Sequence, residues 1–292
     1  MSATDNTGIL LVAGGYELYG SCAVNLAMSL KAYDPSIQIC LVHDNKAIAH
    51  LGDAELELFD TLIVADEADY LIDGKKQYQR LKLCAYKYSP FINSLYIDVD
   101  TIWFPKKKVS DLISSLMQYD FYIGKNTDFD PADKVKRMSN YTYWGDPVKT
   151  SRYFGLKNKM PQTISGVFWF KKCEYCAGIF SRALQVYGDK KAPTQKWANG
   201  IADEYCFNVS LSERNYQQDN CHIVYFDKSN GNISREQMFS NFWGLAAGGN
   251  KLSYIVRDLY NDLVDLYHTN FNFEIKRKHV DKIAVIKERR NF

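Results

Sequence analysis

No single charge dominates this chain. Its 36 Lys and Arg stand against 34 Asp and Glu over 292 residues, a formal net charge of +2. Nucleic acid needs a concentrated basic face, so no nucleic-acid partner is expected. Cysteine is sparse and scattered. Seven of them, an odd number in a chain too large to need staples, fit a reducing compartment better than a disulfide framework. Cys173 and Cys176 form the only Cys-x-x-Cys; no second pair or histidine follows at zinc-ligand spacing, so buried thiols on a helix are expected there. Long apolar runs are also missing. The run from Ile9 to Ala13 is far too short to span a bilayer and no secretory signal precedes it, which gives the expectation of a soluble, cytoplasmic protein. There is no internal repeat and no low-complexity segment, and residues 14–20 lack the Gly-x-Gly-x-x-Gly spacing of a dinucleotide loop. What remains is 46% hydrophobic, enough for one large domain or two intimate halves.

The apolar pattern alternates between strand and helix. A strand over 8–14 precedes a helix over 22–31; a second strand over 36–43 precedes a helix over 47–59, and a third strand covers 61–65. Such alternation predicts an α/β fold with a mainly parallel central sheet flanked by helices. Ligands of such sheets sit beyond the carboxyl ends of strands. That rule points at Ala13 to Tyr16, at His43 to Asn45, and at Asp98 to Asp100. Further on, the spacing predicts a helix over 110–117, a strand over 120–124, a loop-rich span over 125–161 dense in aromatics, a strand over 163–170, helices over 173–187 and 203–212, and a strand over 222–226.

Asp98 and Asp100 need a physical reason to exist. They lie inside 94–104, a stretch that otherwise reads as one buried strand. Residues two apart in an extended chain share a side, so Leu95, Ile97 and Val99 make one apolar face while Tyr96, Asp98, Asp100 and Ile102 make the other. Two unpaired carboxylates in such a wall repel and resist ionisation, whereas a bound divalent cation removes both penalties.

The order of elements and these motifs resemble the GT-A glycosyltransferases, most closely the family 8 type that includes glycogenin and lipopolysaccharide galactosyltransferases. The likeness covers most of the chain. Arg80-Leu81-Lys82 followed by Asp98-Val99-Asp100 is similar to the family's basic helix and Asp-x-Asp strand. Ser165-Gly166-Val167 and the start of Asp203-Glu204 through Asn208 look like its Ser-Gly-Val strand and Asp-Gln-x-x-x-Asn helix. His268 stands where the family supplies its remaining metal ligand. Two departures are visible: Glu204 replaces the usual glutamine, and the family's later Gly-x-Lys-Pro-Trp segment is missing, with Lys276 as the stand-in for its phosphate lysine.

The resemblance implies one catalytic domain over 1–270, with a nucleotide-binding half over 1–105 and an acceptor-binding half over 106–270, followed by a basic tail over 271–292. It implies a metal-dependent transfer of a hexose from a nucleotide sugar, with UDP the family's common nucleotide, to a carbohydrate, lipid-linked or protein hydroxyl, with retention of configuration. Asp98, Asp100 and His268 would hold manganese or magnesium, which suit carboxylates with one imidazole. Ala13, Gly14, Tyr16, Asp44, Arg80, Lys82, Asp98, Val99, Asp100, Ser165, Gly166 and Lys276 would bind the donor. Asp203 would accept from a sugar hydroxyl, and Glu204 would lie nearest the anomeric carbon. Gly166 in an apolar strand also signals, on its own, a bulge or a close approach.

Plainer readings stand beside each of these. Arg80 and Lys82 suit a solvated helix face, Asp203 and Glu204 suit ordinary helix-start acids, and 13–15 suit a tight turn. Tyr141, Tyr143 and Trp144 suit either a sugar acceptor or the core; residues 244–250 suit a mobile flap or a surface loop. The tail's cations suit an anionic membrane surface, and its interspersed acids a solvated end. Two rival functions remain. Asp98 and Asp100 also match the nucleophile and general acid of haloacid-dehalogenase phosphatases, although three strand units precede them and Thr150 stands where the later Gly145-Asp146 motif wants its second acid. A catalytically inactive nucleotide-sugar binding protein is the other.

Overall fold

The structure, a computed structural model, describes residues 6–103, 108–132, 144–197, 200–217, 239–241, 261–262 and 264–265. His268, Lys276, the 244–250 segment, the expected strand over 222–226 and the basic tail lie outside these residues.

In chain order the elements are β1 (Thr7–Ala13), α1 (Glu17–Lys31), β2 (Ile39–His43), α2 (Asn45–Ile48), α3 (Asp53–Leu56) and β3 (Thr61–Val64). A short 3₁₀ turn (Glu67–Asp69) leads to β4 (Leu71–Ile72), β5 (Lys75–Lys76), α4 (Arg80–Leu83), α5 (Ala85–Tyr88), β6 (Asn93–Ile97) and β7 (Thr101–Trp103). Then come α6 (Val109–Leu116), β8 (Phe121–Phe129), α7 (Pro147–Phe154), β9 (Met160–Lys171) and α8 (Glu174–Gly188). The last are β10 (Lys196–Trp197), β11 (Gly200–Ile201), α9 (Asp203–Glu213) and β12 (Phe239–Asn241).

The chain folds into two compact units. One comprises Gly8–Val64, Ile97–Ser115 and Ile223–Phe292. Within it β1, β2 and β3 pair in parallel, with Ala13 opposite His43 and His43 opposite Val64 at their carboxyl ends. β2 is buried along its whole length, as a strand covered on both faces must be. α1 is buried at every residue from Gly20 to Leu30, an all-round burial that explains its weak amphipathic pattern. It starts five residues before the expected position, with Glu17 in its first turn and Lys31 in its last, both favourable to the helix dipole. Ser29 of this helix accepts the Trp103 N–H at 3.0 Å, and the Trp103 side chain is fully buried. The helix expected over 47–59 is two short ones, α2 and α3. Glu55 accepts the Gly52 N–H at 2.7 Å and starts a fresh turn there.

The other unit comprises Met1–Thr7, Ala65–Tyr96 and Leu116–His222. Its strands run in the order β6-β9-β8, with β8 and β9 antiparallel. Phe121, Phe168, Phe170, Phe180 and Phe207 pack as one aromatic core, with Phe168 and Phe207 at 5.4 Å and Phe170 and Phe180 at 5.1 Å between centroids.

Several expectations are corrected here. The 94–104 strand is interrupted: β6 stops at Ile97, residues 98–100 form a turn, and β7 resumes at Thr101. Carboxylates demand solvation or partners that a closed ladder denies them, and a turn provides both. The loop expected over 125–161 contains the far end of β8 and the whole of α7. Asp146 caps α7 by accepting the Val148 and Lys149 N–H groups at 2.9 and 3.1 Å, Pro147 occupies the first turn, and Gly155 closes it at φ 64°. The β4–β5 hairpin also escaped the sequence pattern, although its Asp73-Gly74 turn, φ 51° and 73°, is a favoured hairpin dipeptide. The six described cysteines are free, Cys176 buried and Cys173 half-buried.

Candidate active site

Within the second unit, three of the expected residues meet. α4 presents Lys82, β9 presents Ser165 and α9 presents Asp203. Lys82 Nζ lies 3.0 Å from Asp203 Oδ2 and donates to Ser165 Oγ at 3.3 Å, while the Ser165 hydroxyl donates to the same Asp203 oxygen. The ammonium also stands 5.7 Å from the centroid of Tyr96, whose ring stacks on Phe168 at 4.4 Å. The side chains of Lys82 and Asp203 are only 13% and 9% exposed. A charged pair this deep is expensive to create and would be poorly chosen for stability alone.

Gly166 explains how Ser165 arrives there. Ile123 pairs with Phe168 and the next residue, Gly124, pairs with Ile164, so Ser165, Gly166 and Val167 bulge from the ladder, as glycine in an apolar strand implies. Asn208 supports the bulge from α9. Its Oδ1 accepts both the Thr163 N–H at 2.9 Å and the Thr163 hydroxyl at 2.8 Å. Sequence reasoning placed Asn208 in the motif without a role; its function as a brace depends on a pairing 45 residues distant.

Glu204, next to Asp203, is half-buried where its neighbours Asp203 and Tyr205 are buried. Arg80 goes elsewhere. Two residues from Lys82 on a helix, it cannot share its side. Its Nη1 donates to the Asp69 carbonyl at 2.5 Å and stands 3.5 Å from the Asp69 carboxylate, so it anchors the 67–69 turn. Lys87 and Tyr88 donate to that carboxylate too, each at 2.5 Å.

In the first unit, the carboxyl ends of β1 and β2 come together as expected. Asp44 N–H donates to the Ala13 carbonyl at 3.3 Å, and Asp44 Oδ1 accepts from Gly15 N–H at 3.1 Å and Ala47 N–H at 3.0 Å. Asp44 therefore pins the turn after β1 and caps α2 at once. Gly15 needs φ 86° there, which is cheap only for glycine. Gly14 is buried, and Tyr16 is half-buried with Lys46 Nζ 5.3 Å from its ring centroid. Lys46 was not foreseen; its position beside a strand end was the available signal. Burial lowers the His43 imidazole pKa, against a smaller opposing effect of Asp44.

Asp98 and Asp100 are half-buried, with Val99 buried between them. The next side-chain oxygen, Thr101 Oγ1, is buried with no hydrogen-bond partner among the described residues. Two carboxylates and a hydroxyl in four residues fit a hard, oxygen-liganded cation. Among the described residues no three His, Cys, Asp or Glu gather into a metal cluster, and His268 lies outside them.

No protein-family model and no curated protein matches this chain. Solved structures do. The galactosyltransferase LgtC, in complex with donor and acceptor sugar analogues, aligns over 89% of this chain and 95% of its own, with a TM-score of 0.56 at 12% identity. An active-site glutamine-to-glutamate mutant of LgtC aligns over 87% of this chain and 95% of its own, with 0.52 at 14%. The fold is GT-A. The GT-A assignment agrees with the strand–helix alternation and removes the phosphatase reading. Asp146, which that reading would have used, is taken up as the cap of α7.

Proposed function

We propose that the chain is a metal-dependent glycosyltransferase that moves a hexose from a UDP-sugar to a hydroxyl acceptor with retention of configuration. The observation that carries this reading is the buried Lys82–Ser165–Asp203 cluster on a GT-A fold. An aspartate held by an ammonium and a hydroxyl is a ready acceptor for sugar hydroxyls, and the same two donors can serve sugar oxygens when substrate arrives. Ala13, Gly14 and Tyr16 present small residues and one aromatic face to base and ribose. Asp44 keeps that turn in shape. Lys276 serves the donor's phosphates.

Breaking the glycosidic bond sends its electron pair to the diphosphate oxygen. Asp98, Asp100 and His268 would hold a divalent ion, manganese or magnesium, whose chemistry there would be Lewis-acid stabilisation of that charge. The acceptor hydroxyl forms the new bond to the anomeric carbon and passes its proton to the departing diphosphate oxygen. Retention has two routes. Glu204 as a carboxylate can attack first and form a covalent intermediate, which glutamine cannot readily do; alternatively the acceptor attacks from the face the diphosphate leaves.

A donor-hydrolysis screen with several nucleotide sugars and manganese, reading released nucleoside diphosphate, tests the proposal. Release that disappears in Asp100→Ala supports it. Donor binding without any release favours the inactive binding protein. Glu204→Gln should abolish turnover on the covalent route; substantial remaining activity would point to front-face attack.

A further inference from the structure

The Cys173-x-x-Cys176 motif stands outside the transferase machinery, and its setting in the fold is specific. β9 ends at Lys171 and α8 starts at Glu174, so Cys173 is the N-cap of that helix and Cys176 lies in its first turn. The N-cap side chain and the one three residues on are the pair that meet in a capping box, and here the two thiols are in hydrogen-bond contact. The backbone beneath them is held. Cys173 N–H donates to the Lys171 carbonyl at 2.9 Å, and the Cys173 carbonyl accepts from Ala177 N–H at 2.9 Å and from the Tyr86 hydroxyl at 3.1 Å.

Capping does not explain the choice of residue. Ser, Thr, Asp and Asn cap helices well, whereas the Cys173 side chain makes no cap hydrogen bond. Packing does not explain it either, because Cys173 alone among the six described cysteines is not buried. Nor does a metal: among the described residues no third His, Cys, Asp or Glu joins the pair. The two thiols are also unequal. Cys173 is half-buried at the positive end of a 15-residue helix, where negative charge on sulfur is favoured. Cys176 is fully buried, burial pushes its thiol pKa up, and its Sγ donates to the Asp120 carbonyl at 3.1 Å. Glu174 and Tyr175, between the thiols, are exposed and line an open cavity of about 670 Å³ together with Arg214, so this turn of the helix is open to solutes.

From this asymmetry we infer that Cys173 and Cys176 form a reactive dithiol, an exchange site for low-molecular-weight disulfides that closes to an internal disulfide. The Cys173 thiolate attacks one sulfur of the incoming disulfide. That S–S bond breaks, and the first thiol leaves with the bonding pair and takes up the proton Cys173 released. Cys176 then gives up its proton and attacks Cys173 Sγ, and the second thiol leaves with that proton. The protein loses two electrons and two protons, and the reagent gains them. Losing the Cys176 proton strands no acceptor, because the Asp120 carbonyl also accepts the Lys171 N–H at 2.8 Å.

Glutathione disulfide in excess is the probe. The full chain is incubated with it, quenched with N-ethylmaleimide under denaturing conditions and mapped by tandem mass spectrometry. In the parent, Cys173 should react about ten-fold faster than any buried cysteine, and the peptide carrying both residues should end unalkylated and lighter by a pair of hydrogens. Cys176→Ser should stop at a glutathione adduct on Cys173, and Cys173→Ser should leave Cys176 without an adduct. A parent in which both thiols stay reduced overturns the inference. So does a parent that stops at the Cys173 adduct, or modification spread evenly over the buried cysteines, the mark of reaction from the unfolded chain. The parent alone decides if either variant fails to fold, and no step of the readout depends on sugar transfer, so failure of the transferase reading leaves this result standing.

Discussion

Removing Lys82 should cost far more than removing a surface lysine. Its ammonium is 3.0 Å from Asp203, and neither side chain is more than 13% exposed. In Lys82→Met the Asp203 carboxylate stays buried with Ser165 as its donor, and breaking a buried pair on one side typically costs 3–5 kcal/mol. The slight exposure of both groups places the expected loss at the low end, about 3 kcal/mol, or about 5 °C in melting temperature. Asp203→Leu should cost less, about 2 kcal/mol, because the stranded ammonium keeps the Ser165 oxygen and the face of Tyr96. The double variant Lys82→Met/Asp203→Leu has no buried charge left at this point, and apolar replacement of a buried pair is often neutral. It should therefore recover to within about 1 kcal/mol of the parent and give a coupling energy of about 4 kcal/mol. Urea melts of the parent, both single variants and the double variant complete the cycle, and donor hydrolysis of the same four proteins reports function. A stable but inactive double variant is the expected signature of a pair retained for chemistry. The reasoning fails if Lys82→Met costs under about 1 kcal/mol with negligible coupling, the behaviour of an exposed ion pair.

Two further outcomes follow from the same unit. Gly200→Ala should lower stability by about 1–3 kcal/mol, because its Cβ would lie against the Tyr187 hydroxyl, 2.5 Å from Gln79 Nε2 and 2.8 Å from Gln77 Oε1, where the Tyr187–Gln77 hydrogen bond of 2.7 Å is buried; an unchanged thermal melt would refute this. For the Asp69 carboxyl, burial acts upward but hydrogen bonds from Lys87 and Tyr88, with the charges of Lys87 and Arg80, outweigh it and hold the pKa below its ordinary value. A carboxyl whose folded pKa is depressed stabilises fully above its unfolded value, near 4, and loses that contribution as pH falls through the lower folded value. Urea midpoints measured from pH 6 to pH 3 should drop less steeply at the acid end in Asp69→Asn than in the parent, and parallel curves would contradict the assignment.

The sequence by itself determined the strand–helix alternation and the chemistry-bearing positions along it. β1 and β2 were legible because buried parallel strands are short apolar runs, β3 showed the same apolar run although it is an edge strand with Leu62 and Val64 exposed, and Gly166 was legible as a bulge because glycine in an apolar strand marks one. α7 was legible in principle: Asp146, Pro147 and Gly155 spell its start and stop, but its polar, aromatic interior hid the helical period. The β6–β7 break was not legible, because alternation continues across a turn of three residues as if the strand were unbroken.

Only the tertiary structure decided which residues meet. Arg80 and Lys82 are equivalent as a sequence motif. In the fold one is spent on the 67–69 turn and the other joins Ser165 and Asp203 from 83 and 121 residues away. Likewise Asp44 could have been a ligand or a loop residue, and its bonds to Gly15 and Ala47 make it the clamp of the β1 turn. The physical reason is common to both cases. A side chain's type and its place on an element follow from local sequence, whereas its partners depend on packing between segments that are remote in the chain.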